Sequence, residues 1–233
     1  MRFVLSLPIL LLTLTASAQR DARRDHRWGN RPSTLGGGFE VGIPIGEFDD
    51  AWGRQMAGLS ANFTMPMRRL PFSYGFDFGW QRMGARNQEV PVSIEGVSAT
   101  TGDLRVRSNV YGYHALLRLQ PLNGRISPYA ELMTGARHFI TRTAIEVDGM
   151  DENAYEERNA SAFIGSIGWA AGLHYAPSRN FYTEIRLERL NGGQVEYVDP
   201  RSVEIAPDGS VSYGTLDSGT RVVNITFGVG LRF

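Results

Sequence analysis

The chain has 233 residues, contains no cysteine, and carries 24 basic and 24 acidic residues, for a formal net charge of zero. Without cysteine the chain has no disulfide bonds, no thiolate metal site and no acylated N-terminal cysteine. The balanced charge gives no indication of nucleic-acid binding, and all the basic residues are arginine.

The sequence predicts that the first 33 residues form two segments that precede the folded domain. Arg2, a short apolar run and the small-residue sequence Ala16-Ser17-Ala18 predict a secretory signal peptide over residues 1–18. The apolar run is too short to span a bilayer, which takes roughly 20 residues. Residues 19–33 are polar and arginine-rich without periodicity, so we expect a disordered periplasmic lead.

The region 34–233 alternates apolar with polar or small residues, which is typical of β-strands. The third predicted strand has the clearest pattern, because five aromatic residues occupy one parity and small or polar residues the other. These aromatic residues are Phe72, Tyr74, Phe76, Phe78 and Trp80. A soluble protein would have to bury such a row under a second sheet, whereas a transmembrane barrel presents it to lipid.

The pattern repeats to give eight strands, and the lengths of their connections alternate. The connections after strands two, four and six are short, whereas long polar loops are expected at residues 84–103, 142–159 and 191–219. Within the last of these, Pro207-Asp208-Gly209 predicts the turn of a small hairpin. Short periplasmic turns and long extracellular loops, with both termini periplasmic, are typical of outer-membrane barrels.

The last strand has an unbroken apolar row on one parity and small or polar residues on the other. The row ends with Phe227, Val229, Leu231 and Phe233. This amphipathic strand with a C-terminal Phe resembles the closing strand of the small eight-stranded outer-membrane β-barrel proteins of bacteria. We therefore predict an all-β fold, a single eight-stranded antiparallel up-and-down transmembrane β-barrel over residues 34–233.

The resemblance also implies a location and partners. It implies export to the bacterial outer membrane, contact with outer-membrane lipid and lipopolysaccharide, and recognition of the four residues just named by the barrel-assembly machinery. We expect a monomer that needs no cofactor or metal and binds no nucleic acid.

The inward parity of the predicted strands gathers charged side chains in the lumen. They are Glu40, Asp77, Arg118, Glu131, Arg137, Glu184, Arg186, Glu188 and Arg232. Buried charges have to be paired, since an isolated one costs several kcal/mol. Eight strands enclose a space that side chains can just fill, so we expect an Arg/Glu network that plugs the barrel. A narrow path for small solutes is the alternative interpretation of the same residues.

Enzymes occur among barrels of this kind, so a lipid A acyl hydrolase is a further alternative. Such an enzyme needs Ser, His and a carboxylate near the outer boundary of the bilayer. His138 falls on the outward parity of strand five, close to its upper end. No spacing in the sequence pairs it with a serine, and we therefore predict a non-enzymatic protein with a structural or surface-loop binding role.

Overall fold

The computed structural model describes residues 31–68, 70–92, 100–147, 155–199, 202–205 and 211–233. The predicted signal peptide and residues 19–30 of the predicted lead lie outside this range. Ser33, the last residue assigned to the lead, exchanges two backbone hydrogen bonds with Phe233, at 2.9 and 3.1 Å. The ladder between the two terminal segments therefore begins one residue before the predicted barrel boundary.

Eight long strands form one closed barrel in which every neighbouring pair is antiparallel. In chain order the elements are β1 Thr34–Pro44, α1 Glu47–Trp52, β2 Met56–Pro66, β3 Phe72–Val92, β4 Thr100–Leu119, β5 Ile126–Val147, β6 Tyr155–Tyr175, β7 Phe181–Val198, β8 Glu204–Ile205, β9 Val211–Ser212 and β10 Thr215–Arg232. The up-and-down barrel predicted from the alternation is confirmed.

The first and last strands of the barrel close it. β1 pairs with β10 from Thr34↔Arg232 to Pro44↔Val222 without interruption. β8 and β9 pair with each other in the last connection, with Glu204 opposite Ser212, as expected for the two strands of the predicted hairpin. The turn predicted at Pro207-Asp208-Gly209 lies outside the described residues. Within the described residues, no helix is both long and apolar enough to span a membrane.

Three predicted loops are shorter than the sequence suggested, because the strands on both sides extend into them. The β3–β4 ladder continues to Val92↔Thr100, the β5–β6 ladder to Ile145↔Tyr155, and the β7–β10 ladder to Val198↔Thr215. Backbone hydrogen bonds can hold these extensions together without a lipid-facing apolar row. Hydrophobic periodicity therefore underestimated the lengths of the strands.

The alternation along each strand separates an apolar outside from a polar inside. Phe76, Leu132 and Ile167 are 69%, 66% and 64% exposed on the outside. Arg118, Arg137 and Arg186 are among the most deeply buried side chains of the described chain, with 0–2% exposure. This arrangement is the inverse of a water-soluble fold and follows from the period-two pattern.

One element was not predicted. The connection between β1 and β2 forms the short helix α1, which turns Phe48 and Trp52 toward the barrel and buries both. The helix is bounded by Gly46 and Gly53, both with φ of 62°, a conformation that favours glycine. The four-residue spacing of the two aromatic residues was the available signal, because residues four apart share a helix face.

Candidate functional site

The candidate site is the lumen, where the charges are organised around two buried arginines. The first is Arg118 on β4, whose Nε donates to Glu131 Oε1 at 2.6 Å and whose Nη2 lies 3.6 Å from Glu184 Oε1. Its Nη1 is 3.2 Å from His174 Nε2, and its guanidinium lies 4.2 Å from the centroid of the Tyr129 ring. Side chains of three further strands, β5, β6 and β7, therefore contact this arginine.

Arg186 forms the second centre. Its Nη1 donates to Asp77 Oδ1 at 2.7 Å, its Nη2 lies 2.8 Å from Glu188 Oε2, and its Nε lies 3.0 Å from Glu131 Oε2. Glu131 thus joins both arginines, one through each carboxylate oxygen. The contacts from Arg118 Nε to Glu131 and from Arg186 Nη1 to Asp77 are charge-assisted hydrogen bonds, which are the strong kind. The other arginine–carboxylate contacts are ion pairs without hydrogen-bond geometry.

Neutral side chains extend the network toward the end of the barrel that carries α1. Gln81 donates to Glu40 and, at 3.0 Å, to Asn224 Oδ1, and Asn224 Nδ2 donates to Glu188 Oε1 at 2.9 Å. Thr226 donates a further hydrogen bond to Glu40 at 3.3 Å. Gln81, Asn224 and Thr226 were not predicted as members, although their inward parity was readable from the sequence.

A cluster of three rings lies beside the Arg118 centre, near the end of the barrel that carries the termini. The His174 ring is 4.8 Å from Tyr129 and 4.3 Å from Tyr182, measured between centroids. Tyr129 also donates its hydroxyl hydrogen to Glu184, which links the rings to the charge network. Aromatic side chains thus complete the filling on this side.

Besides Glu40, whose partners named above are neutral, two predicted members of the network lie apart from its ion pairs. Arg137 donates to the carbonyl oxygen of Thr220 at 2.9 Å and faces the rings of Phe48 and Phe139, at 5.9 and 5.1 Å. Arg232 is half-buried at the end that carries the termini, where it donates to Asn123 Oδ1 at 3.2 Å. Parity places a side chain inside the barrel but leaves its height and its partners undetermined, which is why both were grouped with the rest.

Above the charges, an apolar plug fills the end of the barrel from which α1 enters. The plug consists of the two aromatic residues of α1 and the inward apolar residues that surround them: Phe48, Trp52, Met56, Met83, Val110, Phe139, Leu190, Val195, Tyr197 and Val222. The Phe48 ring packs edge-on against Tyr197 and Phe139, with centroids 5.8 and 6.4 Å apart. The plug is therefore held by a connection as well as by strands.

Two cavities among the described residues of this filling are small. One of about 20 Å³ is lined by residues that include Glu40, Asp77, Arg137 and Glu188, and one of about 10 Å³ lies beside His174 and Arg232. A water molecule needs roughly 10–15 Å³ of such space, so each cavity holds about one water. Neither provides a passage for solutes.

The four residues predicted as an assembly signal form an exposed row on the outside of β10. Phe227, Val229, Leu231 and Phe233 are 53–69% exposed. The Phe233 ring lies parallel to that of Phe63 on β2, with centroids 6.5 Å apart and an interplanar angle of 18°. The end of the chain therefore contributes to the same apolar surface as the neighbouring strands.

His138 lies on the outside, as predicted, and the fold brings a serine to it. His138 Nε2 is 2.8 Å from Ser161 Oγ across the β5–β6 pair, and the imidazole stacks on Phe163 at a centroid distance of 3.9 Å. The separation of 23 residues along the chain concealed this pair in the sequence. Among the described residues, no group of three or more His, Asp or Glu side chains is arranged to hold a metal ion.

No protein-family model matches the chain, and no curated protein sequence matches it. Solved structures of outer-membrane proteins do resemble the fold. Ail of Yersinia pestis, solved in complex with the heparin analogue sucrose octasulfate, is 15% identical, with 88% of this chain and 99% of that chain covered and a TM-score of 0.47.

Two further solved structures are similar at comparably low sequence identity. OprG of Pseudomonas aeruginosa is 16% identical, with 88% and 98% of the two chains covered and a TM-score of 0.44. Neisserial surface protein A is 12% identical, with 86% and 96% covered and a TM-score of 0.37. These similarities are too distant to transfer a function, which has to be argued from the geometry of this chain.

Proposed function

We propose that the protein is a non-enzymatic barrel of the bacterial outer membrane, inserted as a monomer and plugged by its own side chains. The observation that carries this proposal is the inverted distribution of polarity. Large apolar side chains such as Phe76 are mostly exposed, while whole arginine side chains are buried. In water this outside would be one continuous apolar patch, far larger than soluble monomers tolerate.

The long strands support a role at the surface. β3 to β7 and β10 have 18–22 residues, against 11 in β1 and β2. A membrane-spanning strand needs only about 9–11 residues. The excess strand length extends beyond the membrane on the side away from the termini, where we expect it to support structural or binding contacts.

Membrane residence is tested by expressing the full chain, separating the membranes, and running the outer-membrane fraction on gels with and without heating. We expect the protein in the outer membrane and a shift in mobility on heating, since a closed barrel resists detergent until it is boiled. A soluble, monodisperse protein obtained without detergent would contradict the proposal.

The closed lumen is tested by planar-bilayer recording. We expect no large, stable, porin-like conductance, because the ion pairs, rings and plug leave cavities for about one water each. Such a conductance from the purified barrel would support the solute-path alternative.

A second candidate function is hydrolysis of an acyl ester of lipid A, and the hydrogen bond between His138 and Ser161 favours it. Serine is activated as a nucleophile when a histidine accepts its proton. The test is mass spectrometry of lipid A from cells that express the wild-type chain, His138→Ala or Ser161→Ala. Loss of an acyl chain in the wild type but in neither variant would establish the enzyme, and identical lipid A in all cells supports the non-enzymatic function.

A further inference from the structure

The outward apolar rows give way to arginine on three neighbouring strands. On β3 the row of aromatic residues ends at Trp80, and the next outward residue is Arg82, whose guanidinium lies 5.9 Å from the Trp80 ring. On β4 Arg107 lies two outward positions beyond Tyr111, and on β5 the outward row reaches Arg142. We call Arg82, Arg107 and Arg142 the arginine cluster. It lies at the end of the apolar belt away from the termini.

Two members of the cluster are placed where they repel each other. Arg107 is the direct cross-strand partner of Arg142, and both side chains are exposed. Like charges directly opposite each other destabilise a sheet. Within the described part of the chain, neither takes part in an ion pair. Among the side chains that the structure describes, no carboxylate therefore neutralises this unfavourable pair.

Two exposed acidic residues on these strands are separated from the cluster. Glu89 on β3 and Asp103 on β4 are opposite each other and exposed, and both lie further along their strands from the apolar belt. The order outward from the belt is therefore aromatic, then basic, then acidic. A random solvated surface would intersperse the two signs, so the order indicates an anionic ligand next to the belt.

We propose that the arginine cluster binds the phosphate groups of lipid headgroups in the outer leaflet. Guanidinium groups form forked hydrogen bonds with phosphate, and the aromatic end of an apolar belt is where headgroups begin. A phosphate between Arg107 and Arg142 converts their repulsion into two attractions. This inference rests on the proposed membrane location and adds to it a defined lipid site.

The test uses the purified full-length barrel in micelles of an uncharged detergent, titrated with bisphosphorylated lipid A and followed by native mass spectrometry. The variant Arg107→Ser/Arg142→Ser removes the cluster's opposed pair. The matched control Arg54→Ser/Arg179→Ser removes the same charge from exposed residues elsewhere. We expect the first variant to bind at least about tenfold more weakly, since it loses charge-assisted hydrogen bonds to the phosphate. The control should bind like the wild type.

Two further ligands identify the source of the phosphate. Lipid A from which the phosphates have been removed should bind wild type and cluster variant equally, because its apolar contacts are unchanged. Inorganic phosphate should not displace bound lipid A at equal concentration. Displacement by inorganic phosphate would mean that the cluster binds free anions rather than lipid, which would overturn the proposal. Equal losses of lipid A affinity in the cluster variant and in the control would also overturn it.

Reversing the charge of Arg142 should increase the stability of the barrel and decrease its affinity for lipid A. Arg142→Glu places a carboxylate opposite Arg107, so the variant should resist denaturant better than the wild type in uncharged detergent. The same variant should lose affinity for bisphosphorylated lipid A by about tenfold or more, since repulsion replaces a charge-assisted contact. Unchanged lipid A affinity in a correctly folded Arg142→Glu barrel would refute the site.

The heat-shift gel separates failure of this inference from failure of the proposed function. A barrel that shifts on heating and resides in the outer membrane, but binds lipid A independently of the cluster, contradicts only the lipid site. A chain that never enters the membrane contradicts the proposed function itself.

Discussion

The lumen contains two fillings built on different principles. The charge network around Arg118 and Arg186 is held by ion pairs and hydrogen bonds between side chains that all project from barrel strands. The apolar plug depends on α1, a connection that inserts Phe48 and Trp52 between strands. The network is therefore part of the wall of the barrel, whereas the plug combines strand side chains with two aromatic side chains of a connection that lies outside the strand ladder.

This difference predicts that substitutions in the two fillings destabilise the protein in different ways. A buried charge that loses its partner is costly wherever the strands remain paired. Truncation of an apolar side chain of α1 weakens mainly the packing of the helix inside the barrel. The backbone hydrogen bonds between the strands do not pass through the helix and stay intact. Arg137 touches both fillings, since it faces the Phe48 ring and lines the cavity that contains Glu188.

The largest effect is expected from Arg186→Ala. The change leaves Asp77, Glu131 and Glu188 without a shared guanidinium, and breaking a buried pair costs about 3–5 kcal/mol. Denaturant unfolding of the barrel in detergent, followed by the heat-shift gel, should show the decrease in the free energy of unfolding. Arg189→Ala, which removes an exposed arginine from the same strand, should stay within about 0.5 kcal/mol of wild type. Equal effects of the two changes would contradict the role of the network.

The second largest loss of stability is expected from Phe48→Ala. Removing a well-packed phenylalanine costs about 3 kcal/mol or more, and here we expect the cost as local opening of α1 rather than unfolding of strands. Hydrogen exchange should therefore accelerate at the α1 amides and remain unchanged in β5 and β6. The control is Asp49→Ala on the exposed side of the same helix. Faster exchange throughout the barrel would mean that plug and wall form one cooperative unit.

Arg137→Met should have a smaller effect. It removes the hydrogen bond to the Thr220 carbonyl oxygen and the guanidinium that faces two aromatic rings, and a desolvated cation–π interaction contributes about 2 kcal/mol. A double-mutant cycle with Phe48→Ala measures the coupling between the two fillings. We expect a coupling free energy of about 0.5 kcal/mol or more, because the two side chains face each other directly. Strict additivity would show that the fillings are independent.

The smallest effect on stability is expected from deletion of Phe233. Full burial of such a ring is worth about 1.5–3 kcal/mol, and Phe233 is 69% exposed, so the decrease should be well below that range. The truncated chain should refold in detergent but accumulate poorly in the outer membrane, because the family resemblance implies that the assembly machinery recognises this residue. Equal outer-membrane levels of the two chains would refute the signal role.

The sequence alone determined the architecture, because period-two alternation reports which side of each strand faces lipid. The same alternation identified the inward position of Arg118, Glu131 and Arg186, since parity is a local property. It failed at the ends of the long strands, where an apolar row is no longer required although the backbone ladder continues. It also failed at α1, a segment whose sequence indicated only a turn.

The tertiary structure decided which side chains meet. Glu131 lies between Arg118 and Arg186 because the barrel closes and brings β4, β5 and β7 to one point in the lumen. Arg137 has the same parity as Glu131 but lies higher, where α1 presents an aromatic ring rather than a carboxylate. His138 and Ser161, and likewise Arg107 and Arg142, meet only through the register of neighbouring strands. Alternation determines the face of a strand, whereas height and register depend on hydrogen bonds between segments far apart in the chain.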